Sequence, residues 1–145
     1  MWKKILIVVA VVAVIIQFFR IDKENPAYEP SNDFMTVENA PEEIQIILEQ
    51  ACYDCHSHTT TYPWYSNIAP VSWWLKDHID HGRQHLNFSV WASYDAERRE
   101  HKLEELAEEV EEGEMPLNSY TWTHAESRLT DEQRKKLVDW ANSIR

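Results

Sequence analysis

An all-α fold is predicted by three features of the chain: helix-forming composition, apolar stripes at helical spacing, and start and stop signals that bracket those stripes. Beyond the first 21 residues the sequence is rich in Glu, Leu, Ala, Lys and Gln, and the whole chain holds only two glycines, Gly82 and Gly113. Val and Ile, which favour strands, are concentrated before that point. A length of 145 residues bounds the chain to one modest domain once the apolar N-terminus is set aside.

Four helices follow in order. The first starts near Pro41, which suits an opening turn, with Glu42 and Glu43 at the positive end of the dipole. Its stripe is Ile44, Ile47, Leu48 and Ala51, and it runs into Cys52. The second opens at Pro70 and continues through Trp73, Trp74, Leu75 and His78 towards Leu86, with Gly82 as its weak point. Asp95 caps the third, whose stripe is Leu103, Leu106, Ala107 and Val110. Gly113 and Pro116 stop it. Thr130 and Gln133 form a capping box for the fourth, with Leu137, Val138, Trp140 and Ala141 on its apolar side.

Residues 1–21 read as an uncleaved signal-anchor. Lys3 and Lys4 precede an apolar run from Ile5 to Phe19 that only Gln17 interrupts, and no small-x-small cleavage site follows. The predicted element is a single transmembrane helix with the C-terminal domain in the periplasm. Fifteen residues cover roughly 22 Å of a core about 30 Å thick, so the flanking Trp2 and Ile21 extend it while Lys and Arg snorkel. Residues 22–39, with Pro26 and Pro30, read as a tether that lifts the domain (residues 40–145) off the membrane.

The formal charge is −11. Residues 1–23 hold four basic groups and one acid, which leaves ten basic and twenty-four acidic residues, a net −14, on the rest. Such a surface repels phosphate backbones and excludes nucleic acid as a partner. It suits a protein with a basic docking surface.

Chemistry concentrates at Cys52-Tyr53-Asp54-Cys55-His56. Two thiols three positions apart, followed at once by a histidine, fit covalent attachment of one c-type haem. Each thiol adds to a vinyl group, and the adjacent His56 meets the iron from one face, its ligation made intramolecular by the tethering. Three other readings compete: a Cys52–Cys55 disulfide, a thioredoxin-like redox pair, and a zinc site completed by two of His78, His81 and His85. The redox pair would need a strand before the motif, where a helix stands.

The motifs Ala51 to Ser57, Thr61-Tyr62-Pro63-Trp64-Tyr65, Pro70-Val71-Ser72-Trp73-Trp74, Gly82-Arg83, Leu86-Asn87-Phe88-Ser89 and Gly113-Glu114-Met115-Pro116 occur in that order. Together they resemble the bacterial haem-binding domain family of c-type cytochromes over roughly residues 35–145. The resemblance implies an extracytoplasmic, mostly helical domain built around a single haem.

The opposite face of the iron needs its own ligand in an electron carrier. Met115 is the first choice: it lies in an interhelical loop that Gly113 lets turn and Pro116 stiffens, and a Met-Pro pair after the middle helices resembles the distal ligand of c-type cytochromes. His78 is the rival, sharing one helix face with His81 and His85. Trp64, Tyr65 and Trp74 are expected to wall the porphyrin, and Arg83 to grip a propionate. His124 is expected to hydrogen-bond rather than ligate.

The function expected is single-electron transfer outside the cytoplasm, at the cytoplasmic membrane, with no catalysis of its own. The alternatives are a haem-based sensor or gas-binding module with a displaceable sixth ligand, and a weak peroxidase.

Overall fold

A computed structural model describes residues 1–145, and it contains helices and turns and no strand. Eight α-helices occur: α1 (Trp2–Ile15), α2 (Phe34–Val37), α3 (Glu42–Ala51), α4 (Tyr53–His56), α5 (Val71–His85), α6 (Ala96–Glu112), α7 (Asn118–Thr121) and α8 (Asp131–Ser143). Short 3-10 turns occupy Ile16–Phe18, Pro30–Asn32, Trp64–Asn67, Phe88–Ser93 and Ala125–Ser127. The four helices expected from the sequence are α3, α5, α6 and α8.

Their ends follow the predicted chemistry. The Asp95 carboxylate accepts from Arg98 N–H to cap α6, and Gly113 closes it in the left-handed region at φ 81°. Thr130 and Gln133 form the reciprocal capping box of α8. Helices α6 and α8 pack on each other, α3 packs on α8 and on α4, and α4 packs on α5.

The core is one cluster of 16 buried residues drawn from α2, α3, α4, the 88–94 segment, α6 and α8. At its centre is an aromatic stack. Phe88 lies between Phe34 and Tyr53, each ring 4.9 Å away and nearly parallel, while Trp91 meets Phe34 edge-on at 4.6 Å. Leu75 and Ile79 of α5 are buried but stand outside this cluster, so α5 joins the domain chiefly through α4 and the 64–67 turn.

Two expectations about the N-terminal third need correction. The predicted transmembrane helix over residues 1–21 is a 14-residue helix, about 21 Å long, followed by a 3-10 turn. No helix of the structure is long and apolar enough to cross a membrane. The α-helix ends at Ile15, and in the 3-10 turn that follows the Gln17 side-chain amide pairs with Ala69, donating to the carbonyl at 2.9 Å and accepting from the N–H at 3.0 Å.

The segment expected to lift the domain away instead runs along it. Lys23 bonds Asn67, Asn25 donates to the Thr60 carbonyl, and Asp33 and Phe34 are buried in the core. Asp33 caps α2 through Met35 N–H and accepts from the Tyr53 hydroxyl at 2.7 Å. That bond fastens the end of the supposed tether to the second residue of the cysteine motif.

Burial pushes the Asp33 carboxyl above its ordinary pKa, against the lowering effect of its Tyr53 and Met35 hydrogen bonds. A raised folded-state pKa means the folded chain binds the proton more tightly than the unfolded one. The stability so gained is complete below about pH 3.8 and is lost as pH rises through the folded-state value. Asn accepts the same two hydrogen bonds and caps a helix equally well. Asp33→Asn is therefore expected to match or exceed the wild type in urea unfolding at pH 7, with the difference shrinking towards pH 4.

Candidate haem-attachment site

The site is built where α3 ends. Cys52 breaks the helical backbone, and α4 restarts at Tyr53 as a single turn that carries Cys55 and His56. Both thiols are free rather than joined in a disulfide. Burial, with a smaller contribution from Cys55, pushes the Cys52 thiol up to about 12. Burial and then Asp54 push Cys55 up to about 11, against the lowering effect of Arg83. At neutral pH both sulfurs are protonated.

His56 is gripped by the end of α5. Its Nδ1 stands 3.1 Å from the Gly82 carbonyl and 3.0 Å from the Leu86 carbonyl. Carbonyls only accept, so Nδ1 carries the proton, and it donates to both. Nε2 is then the unprotonated nitrogen with a lone pair to offer, and it has no protein partner. This is how metal-ligating imidazoles are commonly oriented, and the negative end of the helix dipole adds to the basicity of Nε2. Burial holds the His56 pKa below its ordinary value, outweighing the two carbonyls, so the ring stays neutral and able to ligate.

Gly82 makes the grip possible. A Cβ built there would lie 2.8 Å from the Cys55 carbonyl oxygen and 3.4 Å from Cys55 Cβ. Helix α5 meets the motif backbone to backbone, and only glycine allows that approach. The glycine that weakened the sequence reading of this helix is the contact that holds it in place.

Beyond the motif, Asp54 accepts from Thr61 N–H through one oxygen and from the Tyr120 hydroxyl at 2.8 Å through the other. Tyr120 stacks on His124 at 4.2 Å, and the Tyr65 hydroxyl bonds His124 Nε2 at 2.9 Å. Burial raises both tyrosines, and Cys55 contributes to each. Tyr65 is thus placed beside the motif, and His124 hydrogen-bonds as expected. Sequence reasoning gave Asp54 and Tyr120 no role, because a contact across 66 residues leaves no local signal.

Other expected residues fall differently. Arg83 spends Nε on the Ser57 carbonyl and Nη2 on Thr60 and Asn25, bracing the turn after His56 and binding the N-terminal segment to it. Trp64 and Trp74 are exposed, Trp64 edge-on to Tyr65 and Trp74 against His78 at 4.2 Å. The ring beside His56 is Phe88, at 6.1 Å. His78 bonds the Trp74 carbonyl through Nδ1. His85, not His78, is the α5 histidine close enough to His56 to affect its charge. Met115 is half-buried against the core cluster.

These residues fit a haem and fit its rivals poorly. No three His, Cys, Asp or Glu side chains gather as a metal cage, so the structure does not bring Cys52 and Cys55 together with His78, His81 or His85 as a zinc site would need. The absence of a strand before the motif removes the thioredoxin-like pair. A porphyrin brings four nitrogens of its own and needs from the protein an oriented imidazole and, for the c type, two thiols. The buried Tyr62 hydroxyl, which has no partner, lies in the loop after His56 and would suit a polar group of the cofactor.

A family model described as the haem-binding domain matches residues 11–143. The chain belongs to the haem-binding domain family. No curated protein and no solved structure matches it. Haem is accordingly the cofactor of this domain, and the match reaches back through the segment that clasps the domain into the last turns of α1.

Gly82→Ala provides a test of the clasp. In an ordinary helix interior the change stabilises by about 1 kcal/mol. Here it is expected to destabilise the haem-loaded protein by about 1–3 kcal/mol in chemical unfolding, because the added methyl pushes α5 off Cys55.

Proposed function

We propose that the chain is a membrane-anchored monohaem c-type cytochrome that transfers single electrons outside the cytoplasm. The observation that carries this reading is the His56 imidazole, fixed by two α5 carbonyls with Nε2 free, on the same short turn as an unpaired cysteine.

Cys52 and Cys55 would hold the haem as thioethers, and His56 would ligate it. When bound, the haem supplies a reversible one-electron iron couple. The chain's own part is to fix the ligand and restrict water. His56 is backed by rigid helix-end carbonyls, Phe88 packs beside it, and the ring needs no reorientation between oxidation states.

Met115 is the proposed distal ligand. Its loop is held at both ends. The Met115 N–H donates to the Glu109 carbonyl, and the Arg134 guanidinium reaches the Val110 and Met115 carbonyls. Five residues further on, Tyr120 is tied to Asp54 inside the motif. The loop carrying Met115 therefore ends at the haem-attachment turn. His124 is engaged by Tyr65, which leaves it poorly placed to act as the acid–base group a peroxidase would need.

The net −14 outside residues 1–23 favours a redox partner with a basic docking face. Covalent haem attachment of this type belongs outside the cytoplasm in bacteria, which supports a periplasmic domain. Helix α1 exposes apolar side chains on every side and buries none, and we assign it to the cytoplasmic membrane.

Absorption spectra of the wild type, Met115→Ala and His78→Ala test the carrier reading. The wild type is expected to be low-spin in both oxidation states. Met115→Ala is expected to become high-spin and to bind carbon monoxide, and His78→Ala to leave the spectrum unchanged. A high-spin wild type that binds carbon monoxide readily would instead make the protein a sensor or gas-binding module.

A further inference from the structure

The base of α1 carries an exposed apolar surface that the haem site does not use. Phe18 is 80 % exposed, Phe19 63 % and Trp64 74 %, and Ile68, Val71 and Trp73 are also exposed. These residues come from two separate stretches, 18–19 and 64–73, that the structure binds side by side. The Trp73 indole N–H donates to the Phe19 carbonyl at 2.9 Å. Gln17 pairs with Ala69 in both directions. Arg20 donates to the Asn67 carbonyl and Lys23 to the Asn67 side chain. The apolar residues of the globular domain are thereby fixed at the point where α1 leaves it.

We infer that this face rests in the headgroup region of a lipid bilayer, so that the domain is docked on the membrane in one orientation. The inference rests on α1 as the bilayer-inserted segment. Chemistry and charge both favour lipid as the occupant. Trp and Phe rings beside cations suit the boundary between acyl chains and phosphates, and indole N–H groups are accommodated there. Arg20 and Lys23 stand at the patch, in a chain whose remaining surface is strongly acidic. A basic redox partner would be repelled by those two cations, and a second copy would bring its own pair against them.

The docked pose has a consequence for the haem site. Helix α5 begins at the patch with Val71 and Trp73 and ends at Gly82 and Leu86, whose carbonyls hold His56. Trp73 and Gly82 are nine residues apart, or about 14 Å along the helix. The haem-holding end of α5 is thus the end remote from lipid, where a soluble partner can approach it.

The test uses the full haem-loaded chain in lipid nanodiscs, with and without a gadolinium-chelating headgroup lipid. The readout is the indole N–H signals of the seven tryptophans. Trp64 and Trp73 are expected to broaden several-fold more than the buried Trp91 and the half-buried Trp140. The paired change Ile68→Glu and Val71→Glu is expected to relieve the broadening at Trp73 and leave the haem spectrum unaltered. Broadening of Trp2 with Trp64 and Trp73 as sharp as Trp91 would overturn the docked pose while leaving the anchor intact. A chain that fails to enter the discs, with Trp2 unaffected, would overturn both.

Discussion

The rest of the structure depends on the meeting of His56 with the last turn of α5. One N–H is shared between two carbonyls at the helix end, that of Gly82, which also accepts the capping Leu86 N–H, and that of Leu86 just beyond it. Placing one of the shared acceptors on Gly82 satisfies three demands together. The helix end gains a donor, the imidazole is fixed in one tautomer, and α5, which contributes nothing to the main aromatic core, gains its principal attachment to the domain. The glycine is required because the same approach brings the two backbones within van der Waals contact at Cys55.

From that contact, constraint spreads in two directions. Towards the core, Tyr53 stacks on Phe88 and donates to buried Asp33, so the motif turn is braced by residues twenty positions upstream. Towards the surface, Asp54 receives Tyr120, and Arg83 ties Ser57 and Thr60 to Asn25. Every residue between Cys52 and His56 therefore has a structural or chemical task. The spacing of the two cysteines is the one that c-type haem attachment uses, and the identities of Tyr53 and Asp54 answer to the protein around them.

The sequence made legible whatever is encoded locally. Periodic stripes and caps located α3, α5, α6 and α8 to within a residue or two, because Asp95, Gly113, Thr130 and Gln133 act on their own neighbours. The haem motif was legible for the same reason, and the family match agrees with it. Long-range pairings were not legible. Phe34 reads as one aromatic in a proline-flanked tether, yet it is fully buried. Gly82 reads as a helix weakness when α5 is considered alone. Arg83 looked free for a propionate, because nothing in the sequence shows that Ser57, Thr60 and Asn25 converge on it. Gln17 reads as an interruption of an apolar run, because its partner Ala69 lies 52 residues away.

The account turns on Cys52, Cys55 and His56 forming a covalent haem site rather than a thiol pair beside an idle histidine. The most direct measurement is the intact mass of the exported protein, denatured in acid so that any haem held only by ligation dissociates. The account predicts one species heavier than the polypeptide by a single haem, and the polypeptide mass alone when both cysteines are replaced by alanine. A wild-type mass equal to that of the polypeptide, or smaller by the two hydrogens lost in forming a disulfide, would contradict it.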